Sequence, residues 1–391
     1  MTLFSPLEFL KAANRTAHHF GFLPFEVLAS SAARQKKESA IQKATAEDRK
    51  LDAMHGLLTN GVSLYFERGI PLPTPGKPSF FFSTCVLPKN GSIALALHIV
   101  GVRKSIAEAL LIQALRSLAR DLTRETCHVR INSLGDYESV TRYTRELGTY
   151  FRKRLDDMPR EARELMRTDV AAAYLHLLDI DHELCAKSPS PLEYLSDPSR
   201  RHFREIVEHL DMTATPYEID PRLMGHHHCY SDTLFTLEFH ENGEDRPAPP
   251  LVIRGGRLDA FVKHAFKTDV PAAGAVIIFS GKKAPARMPR PRRATPSIFM
   301  VQIGFGPKIK SLILLDMLKS ADIPVHQALV SDSLSDQLRQ AETTNVPFSI
   351  ILGQKEFVEN SVILRDMRSR SQQQIPFDTL IPHLKRLLKK V

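Results

Sequence analysis

His226-His227-His228-Cys229 is a compact run of side chains that bind metals. Imidazole and thiolate are zinc ligands, but a structural zinc site takes four of them, usually from two separated pairs. Neighbouring residues of an extended segment point to opposite sides, so at most two of these four can share one ion. No second cluster at finger spacing accompanies them. They read as a loop or pocket lining, with no metal.

The other chemistry on offer is cationic. Lys282, Lys283, Arg287, Arg290, Arg292 and Arg293 are interleaved with Pro285, Pro289, Pro291 and Pro296, and Arg339 and Lys355 follow further along. Cations of this kind attract phosphate backbones with salt-sensitive affinity. The competing reading is a solvated hinge, because charge runs commonly face water. Lys385, Arg386, Lys389 and Lys390 on the final helix also complement its dipole.

The elements that would carry these residues follow from the chain's patterning. It has 391 residues, 43% of them hydrophobic and 25% charged, with a formal net charge of +9. That length suffices for two domains with a sizeable core. Cys85, Cys127, Cys185 and Cys229 are far apart and form no CxxC pair, which argues for a reducing cytoplasm and against a disulfide framework. No apolar run reaches membrane-spanning length, and Met1–Pro6 lacks the pattern of a signal peptide. The expectation is a cytoplasmic protein with no membrane association and no evident DNA specificity.

Residues 5–19 have helical periodicity, and Phe20–Val27 reads as a turn into a strand. Ser31–Leu51 is polar, a solvated helix or an insertion. Ser79–Leu87 and Ile93–Val102 form a hairpin across a short Gly-containing loop. Ser105 and Glu108 have the spacing of a capping box, with a helix running on to about Leu122. His128–Asn132 is a short strand, and Tyr137–Leu155, Pro159–Leu165 and Pro198–Leu210 are amphipathic helices. Tyr217–Ile219, Thr233–Phe239 and Leu251–Arg254 return to strand. Antiparallel strands decorated by helices make the first part α+β.

The Pro-rich basic stretch divides the chain into 1–281, 282–297 and 298–391, with a helical insertion at about 137–210. After it, Ile298–Ile303, Val325–Val330 and Phe348–Leu352 alternate with helices, and a last helix spans about Phe377 to Leu388. Strands alternating with helices imply a small α/β sheet.

The C-terminal run, closing with Pro347–Glu356 and Val362–Met367, resembles the anticodon-binding domain of histidyl-tRNA synthetases. Upstream segments fall in that family's order. Phe20-Gly21-Phe22 resembles the start of the first class II motif, and Arg130–Gly135 the strand end before the family's insertion. Gly255-Gly256-Arg257-Leu258-Asp259 is similar to its Gly-Gly-Arg-Tyr-Asp strand, and Pro271–Gly274 to the opening of the third motif. The resemblance implies a class II antiparallel core followed by an anticodon-binding-like α/β domain.

It also implies the chemistry to look for. A carboxylate attacks the α-phosphate of ATP, and fixed cations must meet the charge that builds on the phosphoryl oxygens. The family uses arginines, whose guanidinium fork stays charged and binds phosphate bidentately. The second-motif hairpin, Phe80–Val102, has no arginine on its first strand. The histidine-binding loop corresponds to Gly225–Tyr230, so Gly225 takes the arginine's place. The third motif ends at Ile278-Phe279-Ser280-Gly281, with Gly281 at the arginine's position. Leu57, Ala94 and His98 correspond to pocket residues that are Glu, Gln and Glu in the family, which leaves Thr59, Tyr230 and Arg257 as the pocket remnant.

The function these residues imply is a histidyl-tRNA synthetase-like homodimer that binds tRNA or other RNA and does not activate histidine. No cofactor is then expected. An active ligase with rearranged residues, which would need ATP and Mg, stays open, as does a protein-interaction module without an RNA ligand. Candidate RNA contacts are Lys282, Lys283, Arg287, Arg290, Arg292, Arg293, Arg339 and Lys355.

Overall fold

The computed structural model describes residues 4–31, 53–74, 77–87, 91–226, 228–239, 251–280, 295–328, 331 and 333–389. The basic linker cations, Gly281 and most of the polar Ser31–Leu51 stretch lie outside these residues.

Helix α1 (Pro6–His19) begins at Ser5, whose hydroxyl accepts from the Glu8 amide while the Glu8 carboxylate takes the Ser5 amide at 2.7 Å. This reciprocal cap satisfies amides that the first turn leaves without partners. The strand expected over Phe20–Val27 is cut short. β1 is only Leu23–Pro24, and α2 (Phe25–Ser31) follows at once. Pro24 has no N–H to extend a ladder.

Next come α3 (Ala53–Glu67), the hairpin strands β2 (Ser79–Val86) and β3 (Ile93–Val100), α4 (Ile106–Thr123) and β4 (Cys127–Ser133). The insertion holds α5 (Tyr137–Arg152), α6 (Arg160–Met166), α7 (Val170–Asp179) and α8 (Asp197–Met212). The core closes with β5 (Tyr217–Ile219), β6 (Ser231–Phe239), β7 (Leu251–Arg257), α9 (Asp259–Phe266) and β8 (Ala272–Phe279).

The eight core strands form one sheet in the order β1-β2-β3-β8-β7-β6-β4-β5, antiparallel except for the two edge pairs β1/β2 and β4/β5. Alternation along each strand sends side chains to opposite faces. One face, with Leu95, Leu97, Ala275, Ile277 and Phe235, packs against α1, α4 and α8. The other, with Phe81, Ala94, Ala96 and Val276, packs beneath α3 and α9. The expected α+β core with an antiparallel sheet and a helical insertion is therefore present.

The capping box expected at the start of α4 is not. Ser105 is the N-cap, but its hydroxyl makes no cap bond; it donates to Glu205 at 2.7 Å. Glu108 is fully buried and turned to Arg257. Tertiary partners with full charges have outbid the local amides for both side chains.

The C-terminal domain contains β9 (Ile298–Gln302), α10 (Phe305–Ser320), β10 (Val325–Gln327), α11 (Leu334–Thr344), β11 (Phe348–Leu352) and α12 (Gln354–Val358). β12 (Ser361–Asp366), β13 (Gln372–Pro376) and α13 (Phe377–Leu388) complete it. Its sheet order is β10-β9-β11-β12-β13, with the first three strands parallel and the last two antiparallel. α10 packs on α4 of the core. Asp316 accepts two bonds from the Arg120 guanidinium at 2.7 Å, and the buried Lys319 ammonium donates to Ser117 at 2.8 Å and pairs with Asp121 at 2.9 Å. The domain is thus held by paired charges as well as by the chain.

Candidate functional site on the central sheet

The strand registers place His98, Ala96 and Ala94 of β3 level with Gly274, Val276 and Ile278 of β8 on the face under α3. These are the positions where the resemblance puts part of an amino-acid pocket. The structure fills them with protein. The His98 ring donates Nε2–H to the Leu58 carbonyl of α3 at 2.9 Å and stacks on Phe81 with centroids 4.9 Å apart. His98 is 0% exposed, and burial pushes its pKa down to about 4, so the ring is a neutral imidazole at physiological pH. Gly61 explains how the helix comes so close. A Cβ there would place three His98 ring atoms inside 3.0 Å. Gly274 works from below, since its Cβ would press on Leu58, Leu258 and His98 at 3.1–3.2 Å.

The loop that the resemblance assigns to histidine binding is closed in the same way. The amides of Cys229 and Tyr230 both donate to the His226 carbonyl, at 2.9 and 3.0 Å, which folds the segment back on itself. Tyr230 is 0% exposed and meets the His55 ring edge-on at 5.0 Å. Its ring lies where a side chain at Gly225 would begin: a Cβ on Gly225 would have two Tyr230 ring carbons inside 3.0 Å. An arginine therefore cannot stand at this position unless Tyr230 leaves it. Thr59 is half buried on α3 and donates its hydroxyl to the His55 carbonyl at 2.9 Å, inside its own helix.

Arg257 ends β7 with only 1% of its side chain exposed. Its Nε and Nη2 grip the Glu108 carboxylate at 2.7 and 2.5 Å, and Nη1 donates to the Val102 carbonyl at 3.0 Å. The His202 ring of α8 reaches the same carboxylate at 2.8 Å. Burial alone would raise the Glu108 carboxyl, but Arg257 and His202 outweigh it and hold it at about 2. Burial would likewise depress His202, and Glu108 outweighs that and raises it. This cluster ties the start of α4, the end of β7 and the insertion together.

Among the histidines of the run, His226 and His228 have ring centroids 5.3 Å apart, and His228 lies 4.8 Å from His264. His227 lies outside the described residues. Burial pushes the Cys229 thiol well above its usual range, which keeps it protonated. Among the described residues, no group of three or more His, Cys, Asp or Glu side chains is arranged to hold a metal ion.

The basic candidates that are described stand apart from this face, on the C-terminal domain. Arg339 is 72% exposed and pairs with Asp336 at 2.8 Å; Lys355 is 71% exposed and lies 4.0 Å from Glu359. Sequence reasoning missed a further basic feature, the turn joining β12 and β13. Asp366 accepts from the amides of Arg368 and Ser369 at 2.8 Å and shapes that turn, leaving Arg368 and Arg370 exposed beside the exposed Gln372, Gln373 and Gln374. A short basic run between two polar-to-apolar strand segments was the signal available.

Residues 310–387 match the family described as Anticodon binding domain. A histidine–tRNA ligase from Geobacillus sp. (strain WCH70) is 25% identical over 299 residues, covering 76% of this chain and 70% of the relative. One from Fervidobacterium nodosum is 27% identical over 302 residues, covering 75% and 69%. The apo histidyl-tRNA synthetase structure from S. aureus aligns with a TM-score of 0.44 and 16% identity over 82% of this chain and 80% of that one. With its antiparallel core and a C-terminal match to an anticodon-binding domain, the chain is similar to histidyl-tRNA synthetases over 75–76% of its length, at 25–27% identity.

Proposed function

We propose that this chain is a synthetase-like protein that binds RNA and does not activate histidine. The observation that carries the reading is the Tyr230 ring packed against Gly225, at the position the resemblance assigns to an activating arginine. Two further features support it. His98 is sealed as a neutral ring under α3 where a pocket carboxylate is expected. Arg257 is buried and spends four of its five N–H donors on Glu108 and backbone carbonyls, which ties it to the fold and turns it away from a substrate. Loss of one preorganised transition-state donor costs roughly 100- to 1,000-fold in rate. Losing the second-motif, histidine-loop and third-motif cations together leaves no measurable activation, and no need for ATP or Mg.

For RNA binding, the supporting features are the net charge of +9, the match to an anticodon-binding domain and the exposed Arg339, Lys355, Arg368 and Arg370. The acid partners of Arg339 and Lys355 are surface groups, and exposed ion pairs are worth only about 0–1 kcal/mol, so a phosphate can displace them. The protein acts as a homodimer in this reading. Filter binding to bulk tRNA over a salt series tests the RNA part. A steep decline with salt is expected from phosphate contacts. No binding at low salt would favour an interaction module that has no RNA ligand, and histidine-dependent ATP–pyrophosphate exchange would favour an active ligase.

A further inference from the structure

A cleft of about 470 Å³ lies between the insertion and the C-terminal domain, away from the sheet face described above. Glu208, Asp211 and Met212, at the end of α8, form one wall; Phe305 and Gly306, at the start of α10, and Gln354 and Phe357 of α12 form the other. The cleft opens at the C-terminal ends of β9 and β11. From β9 the chain crosses to β10 on one side, and from β10 it crosses back to β11 on the other. Open α/β sheets bind ligands at such a reversal, in the crevice beyond the strand ends. The volume lies within the range of small-molecule sites.

Its walls are built by close packing. A Cβ on Gly306 would have Phe357 ring carbons inside 3.0 Å, so the missing side chain is what lets that ring lie against the start of α10. The Phe305 ring packs against His209 with centroids 4.9 Å apart, yet Phe305 remains 42% exposed and Met212 39% exposed. Two aromatic rings and a thioether thus line a groove next to two exposed carboxylates, on a chain whose formal charge is +9. Aromatic faces attract cations as well as apolar bodies, and the carboxylates add charge complementarity of the same sign.

We propose that this cleft is a binding site for a small organic cation, an amine or guanidine carried on an aromatic or other apolar body. The body lies between Phe305 and Phe357 beside Met212, the charge faces Glu208 and Asp211, and the Gln354 amide stands ready to accept a further N–H. The inference does not depend on whether the core activates histidine.

The test is ligand-observed NMR on the full-length protein with phenethylamine as the probe and 3-phenylpropionate as its anionic counterpart. The amine should bind in the low-millimolar range or better, as expected for a ligand of that size, and the acid should not. Glu208→Gln and Asp211→Asn should each weaken the amine roughly fivefold, the effect of losing one exposed charge contact. Met212→Arg, which brings a guanidinium of the protein's own to the cleft wall, should abolish binding. These three positions are on the surface, and unchanged melting curves will show that the variants fold. Equal binding of amine and acid, retention of binding in the Glu208→Gln/Asp211→Asn double variant, or no amine binding at saturating probe would overturn the proposal.

Discussion

Replacing Glu108 by glutamine should cost this protein about a third or more of the stability of an ordinary domain, and the structure gives the size of the effect. Glu108 is fully buried, and its carboxylate faces Arg257 at 2.5 and 2.7 Å and His202 at 2.8 Å. Its pKa in the fold is about 2, against an ordinary 4.5. The lowered value means the fold favours the ionised form. The contribution is complete above the ordinary pKa and is lost as pH falls through about 2. At about 1.4 kcal/mol per pH unit, the difference amounts to roughly 3 kcal/mol.

The glutamine variant leaves the Arg257 guanidinium buried, with carbonyls, Asp259 at 3.7 Å and the charge of Asp232 to offset its own. Breaking a buried pair in this way typically costs about 3–5 kcal/mol. With about 2–4 °C lost per kcal/mol for a domain of this size, Tm should fall by roughly 10 °C. Thermal melts from about pH 3 to pH 8 read both effects, and the variant should also lose the acid sensitivity that ionised Glu108 gives the wild type. His202 works with the opposite sign. Its raised pKa adds stability that is full below about 6.5 and lost as pH rises through the raised value. A variant that melts within about 2 °C of wild type at neutral pH would refute the claim that this pair holds α4 to β7.

Three further outcomes follow from the same packing. Gly61→Ala puts a methyl into the His98 ring and should destabilise by about 1–3 kcal/mol, measured by urea unfolding; a neutral result would mean that α3 does not rest on His98. Gly225→Arg should lower Tm and create no histidine-dependent pyrophosphate exchange, because Tyr230 occupies the space; gained exchange would contradict that reading. Arg368→Ala combined with Arg370→Ala should flatten the log–log salt dependence of tRNA binding by about 1–2, while an unchanged slope would remove this turn from the RNA surface.

How much could be read in advance differs between the two domains. The β2/β3 hairpin, the βαβαβ start of the C-terminal domain and the last helix were legible, because long apolar runs set the period and Gly or Pro marks the ends. Strand β13 was not, since Gln372-Gln373-Gln374 at an exposed edge shows no apolar alternation. Helices α7 and α9 were missed because one is apolar on most faces and the other is a short turn of chain after a strand.

At the site, the resemblance implied which cations to look for but not what occupies the space at Gly225 and His98. Nothing local tells that Tyr230 turns back onto Gly225, or that His98 bonds a carbonyl 40 residues earlier. Glu108 illustrates the same limit. Its spacing from Ser105 fits a cap, yet its partner Arg257 lies 149 residues away. Local rules rank local partners, and a buried guanidinium outranks an exposed amide.

The central claim is that this synthetase-like chain does not activate histidine. Its most direct test is ATP–pyrophosphate exchange with purified full-length protein, histidine and Mg, run beside a relative that is an active histidine–tRNA ligase. The expected result is no histidine-dependent exchange above the no-enzyme rate. Exchange that appears only with histidine and scales with protein concentration would contradict the account.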